Sequence, residues 1–374
     1  MPIYKMDGKK DNKQKYRVFV NYVDGAGKYQ KKSKIVYGMD EAKECERLLS
    51  SQIKEDKPIA KMTVQNFLDE YIANKKHEVR QSSLEKSQRI LKNHIVPHLG
   101  TLKLEALNAK KLQEWKTLIA EKDISVKTKQ NIYKELHAFL NYGVKLEYFP
   151  RNPLDNIGNF KDVYFESETK KFNYYTAEEF KNFISVAKAN CHTLKDFGVY
   201  VFFNIAFYTG MRKGEINALK WSDIEDDKYI HVRRSVSQKI KGCPIVETPP
   251  KNKSSYRTLQ MPQPLIEILH EHRKRYGKVS GFTEDFRVCG GASCISDTSL
   301  SDKNRYFAEE AHIPSIRIHD FRHSHASLLA NEGINIQEIA RRLGHSDVKM
   351  TWNTYSHLYP REEERALKIL NEIK

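Results

Sequence analysis

The sequence predicts a protein of mixed, mostly α structure that is built from more than one domain. Its 374 residues exceed what a single hydrophobic core usually organises. Apolar and polar residues alternate near the N-terminus, as in a small β-sheet, whereas apolar residues recur at helical spacing from about residue 62 onward. We therefore expect a small sheet domain, a helical domain and a larger mixed domain.

The first segment is predicted to form two strands and a helix. KYRVFVNYVD and YQKKSKIVYG alternate apolar and polar residues on either side of the turn sequence DGAGK. Asp40 stands at the start of the next segment, DEAKECERLLSSQI, where we expect it to cap a helix. The many lysines of this sheet fit a DNA groove, as in β-ribbon proteins, or form an ordinary solvated face.

A helical domain is predicted to follow a linker at residues 54–60, where IKEDKPIAK is charged and has little to bury. We expect four or five helices over residues 62–160, from the segments TVQNFLDEYIANK, SSLEKSQRILKNHIVPHLG, AKKLQEWKTLIAEK and SVKTKQNIYKELHAFLNYGVKLEYF. Their polar faces are rich in lysine and arginine, which either are simply solvated or follow phosphates.

The last domain is predicted over residues 170–374, after the proline-containing segment PRNPLDNIGNFKDVYFESETKKF interrupts the helical pattern. Helices are expected in TAEEFKNFISVAKAN, FGVYVFFNIAFYTG and RKGEINALKWSDIE, strands in YIHVRRSVS and SYRTLQMP, and further helices to the C-terminus. This order predicts a mixed domain that is mostly α.

The charge of the chain indicates a polyanionic partner. Its formal net charge is +16 and its sequence pI is about 9.3, so nucleic acid is the first candidate. Membrane surfaces are the other common polyanion, but no stretch approaches the roughly 20 apolar residues of a spanning helix. The N-terminus also lacks the apolar segment of a signal peptide. We therefore expect a cytoplasmic protein without a membrane partner.

The cysteines favour neither a disulfide framework nor a zinc site. They are odd in number and scattered, and no two form a CxxC motif. We expect all of them to be reduced and structural: Cys45, Cys191, Cys243, Cys289 and Cys294.

Arg212 and Glu215 are the first candidate functional pair. They lie three residues apart in YTGMRKGEINALKWSDI, so a helix would place them on one face, where the carboxylate can hold the guanidinium. Such pairs are usually surface salt bridges worth under about 1 kcal/mol, so this pair alone is a weak signal.

A second group of polar residues, later in the chain, indicates that Arg212 and Glu215 belong to a functional site. IRIHDFRHSHASLLANEGINIQEIARRLGHSDVKMTWNTYSHL contains His319 and Arg322, then His345, then Tyr355 ten residues later. Phosphoryl transfer needs donors and cations around the non-bridging oxygens, and guanidiniums supply paired hydrogen bonds to them. Tyrosine can form a covalent intermediate that keeps the bond energy for rejoining. This chemistry needs no metal and no cofactor.

Together these motifs resemble the tyrosine recombinase family, and within it the integrases of temperate phages and conjugative transposons. The resemblance implies that TGMRKGE contains the first active-site arginine and its supporting acid, and that HDFRHSHAS contains the histidine and arginine of the HxxR pair. It further implies a second histidine in LGHS and the nucleophile in WNTYSHL. The implied site is Arg212, Glu215, His319, Arg322, His345 and Tyr355.

The family also uses a lysine on a β-hairpin between the two motif regions. Here PPKNKSSYRTLQMP corresponds to a pattern that begins PKT, which aligns Lys251 with the catalytic lysine and Asn252 with the usual threonine. Lys253 is the alternative. We favour Lys251 as a general acid.

The resemblance also assigns the domains and partners. It implies that residues 1–57 form an arm-type DNA-binding domain with a three-stranded sheet and a helix, residues 62–160 a helical, SAM-like core-binding domain, and residues 170–374 the catalytic domain. It implies a homotetramer on double-stranded DNA with core and arm attachment sites, in a bacterial cytoplasm and associated with the nucleoid when active. Accessory DNA-bending and excision factors are further implied partners. The last helix, REEERALKILNEIK, has an apolar stripe that packs on its own subunit or on a neighbour: Leu367, Ile369, Leu370 and Ile373.

Rival functions are a topoisomerase of type IB, which has similar active-site chemistry but needs no arm-binding domain, and a catalytically silent DNA-binding protein. Rival site residues are disfavoured by their positions. His323 and His325 are two positions apart and face different sides of a helix, which disfavours a metal site. Tyr359 lies one turn after Tyr355 but precedes Pro360, where we expect the helix to end.

Overall fold

A computed structural model describes residues 3–10, 13–23, 29–55, 62–162, 173–237, 246–250, 252–359, 367 and 370–372. The chain divides into two compact units, residues 1–166 and 167–374. Within the ranges described, no helix combines the length and apolar character needed to cross a membrane. The predicted domain bounds at residues 57–62 and 160–170 stay predictions.

The N-terminal strands form an antiparallel sheet in the order β1 (Ile3–Lys10), β2 (Lys13–Val23) and β3 (Tyr29–Tyr37), followed by helix α1 (Met39–Glu55). This confirms the three-stranded sheet with a helix. Val18 packs against Ala42 in its small core. The prediction that Asp40 caps α1 is wrong, because the helix begins at Met39 and Asp40 lies inside its first turn. Gly38 adopts φ +102° just before the helix, a conformation that favours glycine.

Five helices follow in the first unit: α2 (Val64–Lys75), α3 (Gln81–His94), α4 (Val96–Leu99), α5 (Ala109–Ala120) and α6 (Val126–Lys145). Thr63, Asn108 and Ser125 cap α2, α5 and α6 by accepting a backbone N–H with their side chains. The helical segment SSLEKSQRILKNHIVPHLG divides at Ile95 into α3 and α4, because Pro97 has no N–H to continue the ladder, and this gives five helices of the four or five expected. Trp115 and Phe139 lie in the shared core, which confirms the helical domain.

The second unit contains eight α-helices and five short strands within the described parts of residues 173–359. The helices are α7 (Ala177–Ala189), α8 (Leu194–Thr209), α9 (Lys213–Ala218), α10 (Gln263–Tyr276), α11 (Asp297–Glu310), α12 (Asp320–Asn331), α13 (Ile336–Leu343) and α14 (Val348–Tyr355). The strands are β4 (Ile224–Glu225), β5 (Tyr229–Val232), β6 (Ser235–Ser237), β7 (Val246–Thr248) and β8 (Arg257–Gln260). They form antiparallel sheets β4-β5-β8 and β6-β7.

Helix α8 is the centre of this unit. Nearly all of its side chains are buried, which explains the continuous apolar run in its sequence. Phe203 on α8 packs against Phe183 on α7 and Phe321 on α12. The core therefore fixes α12, which carries much of the candidate site, against the helix that ends just before Arg212.

The structure also bears on the helix predicted from Arg212, on the C-terminal leucines and on the cysteines. The predicted helix over 212–225 ends at Ala218, and Asp223 instead accepts the Lys220 N–H at a short 3-10 helix. Leu367 and Leu370 are 54% and 60% exposed, whereas Ile369 and Ile373 lie outside the described residues. Four cysteines are free thiols, and Cys243 lies outside the described residues: the four are Cys45, Cys191, Cys289 and Cys294.

Candidate active site

Two glycines end helices at the edge of the site. Gly210 ends α8 with φ +64°, and a Cβ on it would lie 2.7 Å from the His325 ring. Gly344 ends α13 with φ +67°, and a Cβ there would lie 3.1 Å from a guanidinium nitrogen of Arg257. Both positions therefore favour glycine for the backbone conformation, and Gly210 also for space.

Arg212 is held by a buried carboxylate. Its Nη1 donates to Glu215 Oε1 at 2.8 Å, and its backbone N–H donates to Glu215 Oε2 at 3.0 Å. Its Nη2 lies 3.5 Å from the Gly344 carbonyl, which precedes His345. The side chain of Arg212 is 37% exposed, but that of Glu215 is only 3% exposed. The pair is thus a buried clamp that leaves one edge of the guanidinium accessible, not the surface salt bridge that its spacing alone favours.

Arg257 holds the same carboxylate from the other side. Its Nη2 donates to Glu215 Oε2 at 2.8 Å and its Nε donates to the Arg342 carbonyl at 2.7 Å. Burial raises the pKa of Glu215, but Arg257 and Arg212 outweigh it and hold that pKa below its usual value. Arg257 stands within PPKNKSSYRTLQMP but was not singled out from the sequence. Its alternation with buried Leu259 on β8 is a signal that it points inward.

Arg322 is buried beside this clamp. Its Nη1 donates to the Gly210 carbonyl at 2.8 Å, 112 positions away along the chain. Its Nη2 has no hydrogen-bond partner in the part of the chain described, and the residue is 3% exposed. Burial and the nearby Arg212 lower the pKa of Arg322. A buried cationic donor without a partner is costly, and an anion would relieve that cost.

His319 and His345 lie around the two arginines. His345 Nδ1 is 2.8 Å from Thr351 Oγ1 on α14. Burial, Arg322 and Arg212 lower the pKa of His345 to about 4. His319 keeps an exposed edge just before α12, yet partial burial, Arg322 and His323 lower its pKa to about 4. Both rings are therefore neutral at pH 7, and each can donate one hydrogen bond and accept another.

Tyr355 ends α14 inside the site. It is 2% exposed and packs with small residues of α12 such as Ala326. Its hydroxyl lies 2.6 Å from His323 Nδ1. Burial raises the pKa of Tyr355. Sequence reasoning considered His323 only as a metal ligand and missed this contact. The position of His323 directly after Arg322 was the available signal.

The other residues considered from the sequence are two lysines, a histidine and a second tyrosine, and those that the structure describes make no hydrogen bond to the Tyr355 hydroxyl. The Tyr359 ring packs against the cluster that contains Tyr355, but its hydroxyl donates to the Ile334 carbonyl at 2.6 Å. His325 is buried, with Nδ1 2.8 Å from the Phe207 carbonyl, and burial and Arg342 lower its pKa to about 3. Lys253 is exposed on a 3-10 turn before β8, and Lys251 lies outside the described residues.

The fold thus brings together side chains that are far apart in sequence. Arg322 interacts electrostatically with both Arg212 and Tyr355, and both candidate histidines interact with the two arginines. The result is a cluster of two guanidiniums, two neutral imidazoles and a tyrosine hydroxyl. Such a set can bind an anion with several donors and present a nucleophile to it.

Comparison with protein families gives two matches. The model described as the phage integrase family matches residues 173–362, which is more than half of the chain. The model described as the phage integrase N-terminal SAM-like domain matches residues 63–117.

Curated relatives cover much of the chain. The ICEBs1 integrase of Bacillus subtilis is 27% identical over 342 residues, which are 89% of this chain and 90% of that protein. A XerC-like tyrosine recombinase of Caldanaerobacter subterraneus is 28% identical over 294 residues, 73% of each chain. The transposase from transposon Tn916 of Enterococcus faecalis is 22% identical over 74% of this chain and 69% of that protein.

Solved structures share the fold. The Tn1549 transposon integrase in complex with a circular intermediate DNA superposes with a TM-score of 0.65 at 20% identity, covering 84% of this chain and 100% of that one. A lambda integrase dimer bound to a core site superposes with a TM-score of 0.58 at 17% identity, covering 94% of each chain.

Proposed function

Since this chain belongs to the phage integrase family, we propose that Tyr355 is the nucleophile with which it cuts and rejoins DNA. The chain is a tyrosine site-specific recombinase that acts on the DNA of a mobile element. The tyrosine oxygen attacks a DNA phosphate, the 5′ oxygen leaves, and a 3′-phosphotyrosine bond forms. A 5′ hydroxyl from the partner strand then attacks that bond, which joins the element to a new site or excises it.

The arginines carry the electrostatic part of the proposal. The observation that supports it best is the buried Arg322 Nη2, which has no partner among the described residues, beside the accessible edge of Arg212. A non-bridging phosphate oxygen would satisfy both groups as charge develops on it. His319 and His345, neutral at pH 7, would donate further hydrogen bonds to the same phosphate.

DNA is the partner, and we assign the arm sites to the N-terminal sheet. Val18 faces α1, so its neighbours Arg17 and Phe19 face away from the helix. On that outer face Tyr4 stacks on Phe19 at 5.3 Å, and Lys31 Nζ lies 3.8 Å from the Phe19 ring centroid. A lysine that is held in place by a cation–π contact is well suited to bind the phosphates of a DNA backbone.

The remaining assignments complete the proposal. Residues 1–57 bind arm sites, residues 62–160 bind the core site and residues 170–374 carry out catalysis. Four chains assemble on two recombining sites, with accessory DNA-bending and excision factors. The protein works in the bacterial cytoplasm, at the nucleoid.

The test is covalent trapping on a labelled core-site DNA with a nick that prevents rejoining. The wild-type chain should form a 3′-phosphotyrosine adduct, and Tyr355→Phe should bind the DNA equally well without forming one. Tyr359→Phe is the matched control and should still form the adduct. An adduct in Tyr355→Phe would assign the nucleophile elsewhere, and no adduct in the wild-type chain would leave only DNA binding.

A further inference from the structure

His323 touches the oxygen that reacts. Its Nδ1 lies 2.6 Å from the Tyr355 hydroxyl, and the two ring centroids are 5.8 Å apart. His323 lies on α12 directly after the buried Arg322, so the helix that packs in the core also carries this ring. Among the described side chains, His323 is the one whose ring nitrogen is hydrogen-bonded to this phenol.

The reaction requires a group in this position. A phenol has an ordinary pKa of about 10, so at pH 7 Tyr355 starts with its proton in place. Burial raises the pKa of Tyr355 further, and with 2% exposure its hydroxyl has little access to bulk water as a proton acceptor. The proton must therefore pass to a side chain in contact.

His323 is in the correct protonation state to receive it. Burial, together with Arg322, lowers the pKa of His323 although Asp320 raises it. The ring is therefore neutral at pH 7 and has one nitrogen able to accept a proton. The neighbouring histidines are engaged differently, since His345 Nδ1 contacts Thr351.

We propose that His323 is a catalytic residue that takes the phenol proton of Tyr355 as the phenol oxygen attacks phosphorus. The inference rests on the proposed function of Tyr355. The O–H bond of Tyr355 breaks and its proton moves to His323 Nδ1, while the oxygen–phosphorus bond forms. The bond from phosphorus to the 5′ oxygen breaks, and that oxygen takes a proton from a separate acid, a lysine ammonium. In rejoining, His323 returns its proton to the departing tyrosine oxygen.

The test compares His323→Asn with the wild-type full-length chain in single-turnover cleavage of core-site DNA. The Asn amide reaches the place of Nδ1 and keeps a hydrogen bond to Tyr355, but it cannot accept a proton. Loss of a general base should slow cleavage about 10²–10⁴-fold with unchanged core DNA binding. If the Asn variant does not bind DNA, His323→Gln, which also cannot accept a proton, replaces it in the same cleavage measurement.

A second substitution separates proton transfer from positioning. Tyr355 is replaced by 3,5-difluorotyrosine, whose phenol is more acidic and needs less help from a base. In the His323→Asn chain this should restore most of the lost rate. In the matched control His345→Asn it should restore little, because His345 is assigned to the phosphate.

Two results would overturn the role of His323: wild-type cleavage by His323→Asn, or a defect that difluorotyrosine does not relieve. Either can occur while the wild-type chain still forms its adduct at Tyr355, so the proposed function would stand. Absence of that adduct in the wild-type chain would instead remove the proposed function itself.

Discussion

A histidine acts as a donor at neutral pH only from the nitrogen that carries its proton. His345 Nδ1 lies 2.8 Å from the hydroxyl of Thr351, which is completely buried. If that hydroxyl donates to Nδ1, the proton of the neutral ring stays on Nε2, where it can reach a phosphate oxygen. Thr351 then acts through His345 as a positioning residue.

Thr351→Val should slow cleavage by about tenfold, because valine keeps the shape of threonine but cannot fix the tautomer of His345. Thr351→Ser is the matched control and should remain close to wild type. Single-turnover cleavage rates and core DNA affinity measure the two effects separately. Equal rates for the valine and wild-type chains would mean that the Thr351 contact does not control His345.

Single residues of the site were predictable to different degrees. Motif order located Arg212, Arg322 and Tyr355, because their spacing within local segments is visible in the sequence. Their partners were not, since the contact of Arg257 with Glu215 spans 42 positions and that of His323 with Tyr355 spans 32. Such contacts depend on helix packing, which local periodicity does not encode.

Helices and strands were likewise predictable where local sequence determines them and not where tertiary packing does. The amphipathic helices followed from sequence, because their periodicity acts within a few residues, whereas the cap predicted at Asp40 was wrong. The short α9 did not, since its end at Ala218 depends on Trp221 burying itself in the core and on Asp223 holding the next turn. Strand β1 was also missing from the pattern analysis and came only from the family resemblance, because its residues are mostly exposed.

Strand β8 connects the candidate lysines to the arginine clamp. Arg257 at its start bonds Glu215 and the carbonyl of Arg342, so the segment before β8 is tied to α9 and α13. Lys253 lies in that segment, and Lys251 is its neighbour in sequence. We propose that a lysine of this segment donates a proton to the leaving 5′ oxygen.

Replacing the bridging 5′ oxygen with sulfur tests which lysine is the acid. A thiolate leaves without a proton because a thiol has a pKa near 8.5, whereas an alkoxide is far more basic. Lys251→Ala should cripple cleavage of normal DNA and recover on the sulfur substrate. Arg322→Ala should not recover, since its proposed contacts are to non-bridging oxygens. Rescue of Lys253→Ala, with normal cleavage by Lys251→Ala, would reverse the assignment. If the sulfur substrate rescues neither lysine variant, His319 becomes the favoured candidate for the acid.

At the scale of the whole molecule, the charge is distributed between catalysis and binding. Arg257 and Arg322 are buried and Arg212 is held by the buried Glu215, whereas Arg17 and Lys31 lie on an exposed sheet face in the other unit. Charges on such a face bind DNA by releasing counterions, which affects affinity and its salt dependence but not the chemical step. The two kinds of positive charge should therefore be separable by experiment.

A chain that begins at residue 62 should still cleave core sites but fail in full recombination, because it lacks the sheet that we assign to arm DNA. In the intact chain, the double variant Arg17→Ala, Lys31→Ala should weaken arm-site binding and reduce the slope of log affinity against log salt by about one for each phosphate that is no longer neutralised. The charge-matched control is Lys43→Ala, Arg47→Ala, whose residues are exposed on α1. Because α1 covers the opposite face of the sheet, this control should leave the slope nearly unchanged. If the two double variants weaken arm-site binding equally, the sheet contributes only general positive charge and no specific DNA contacts. If the truncated chain fails to cleave core sites, residues 1–57 are part of the catalytic fold.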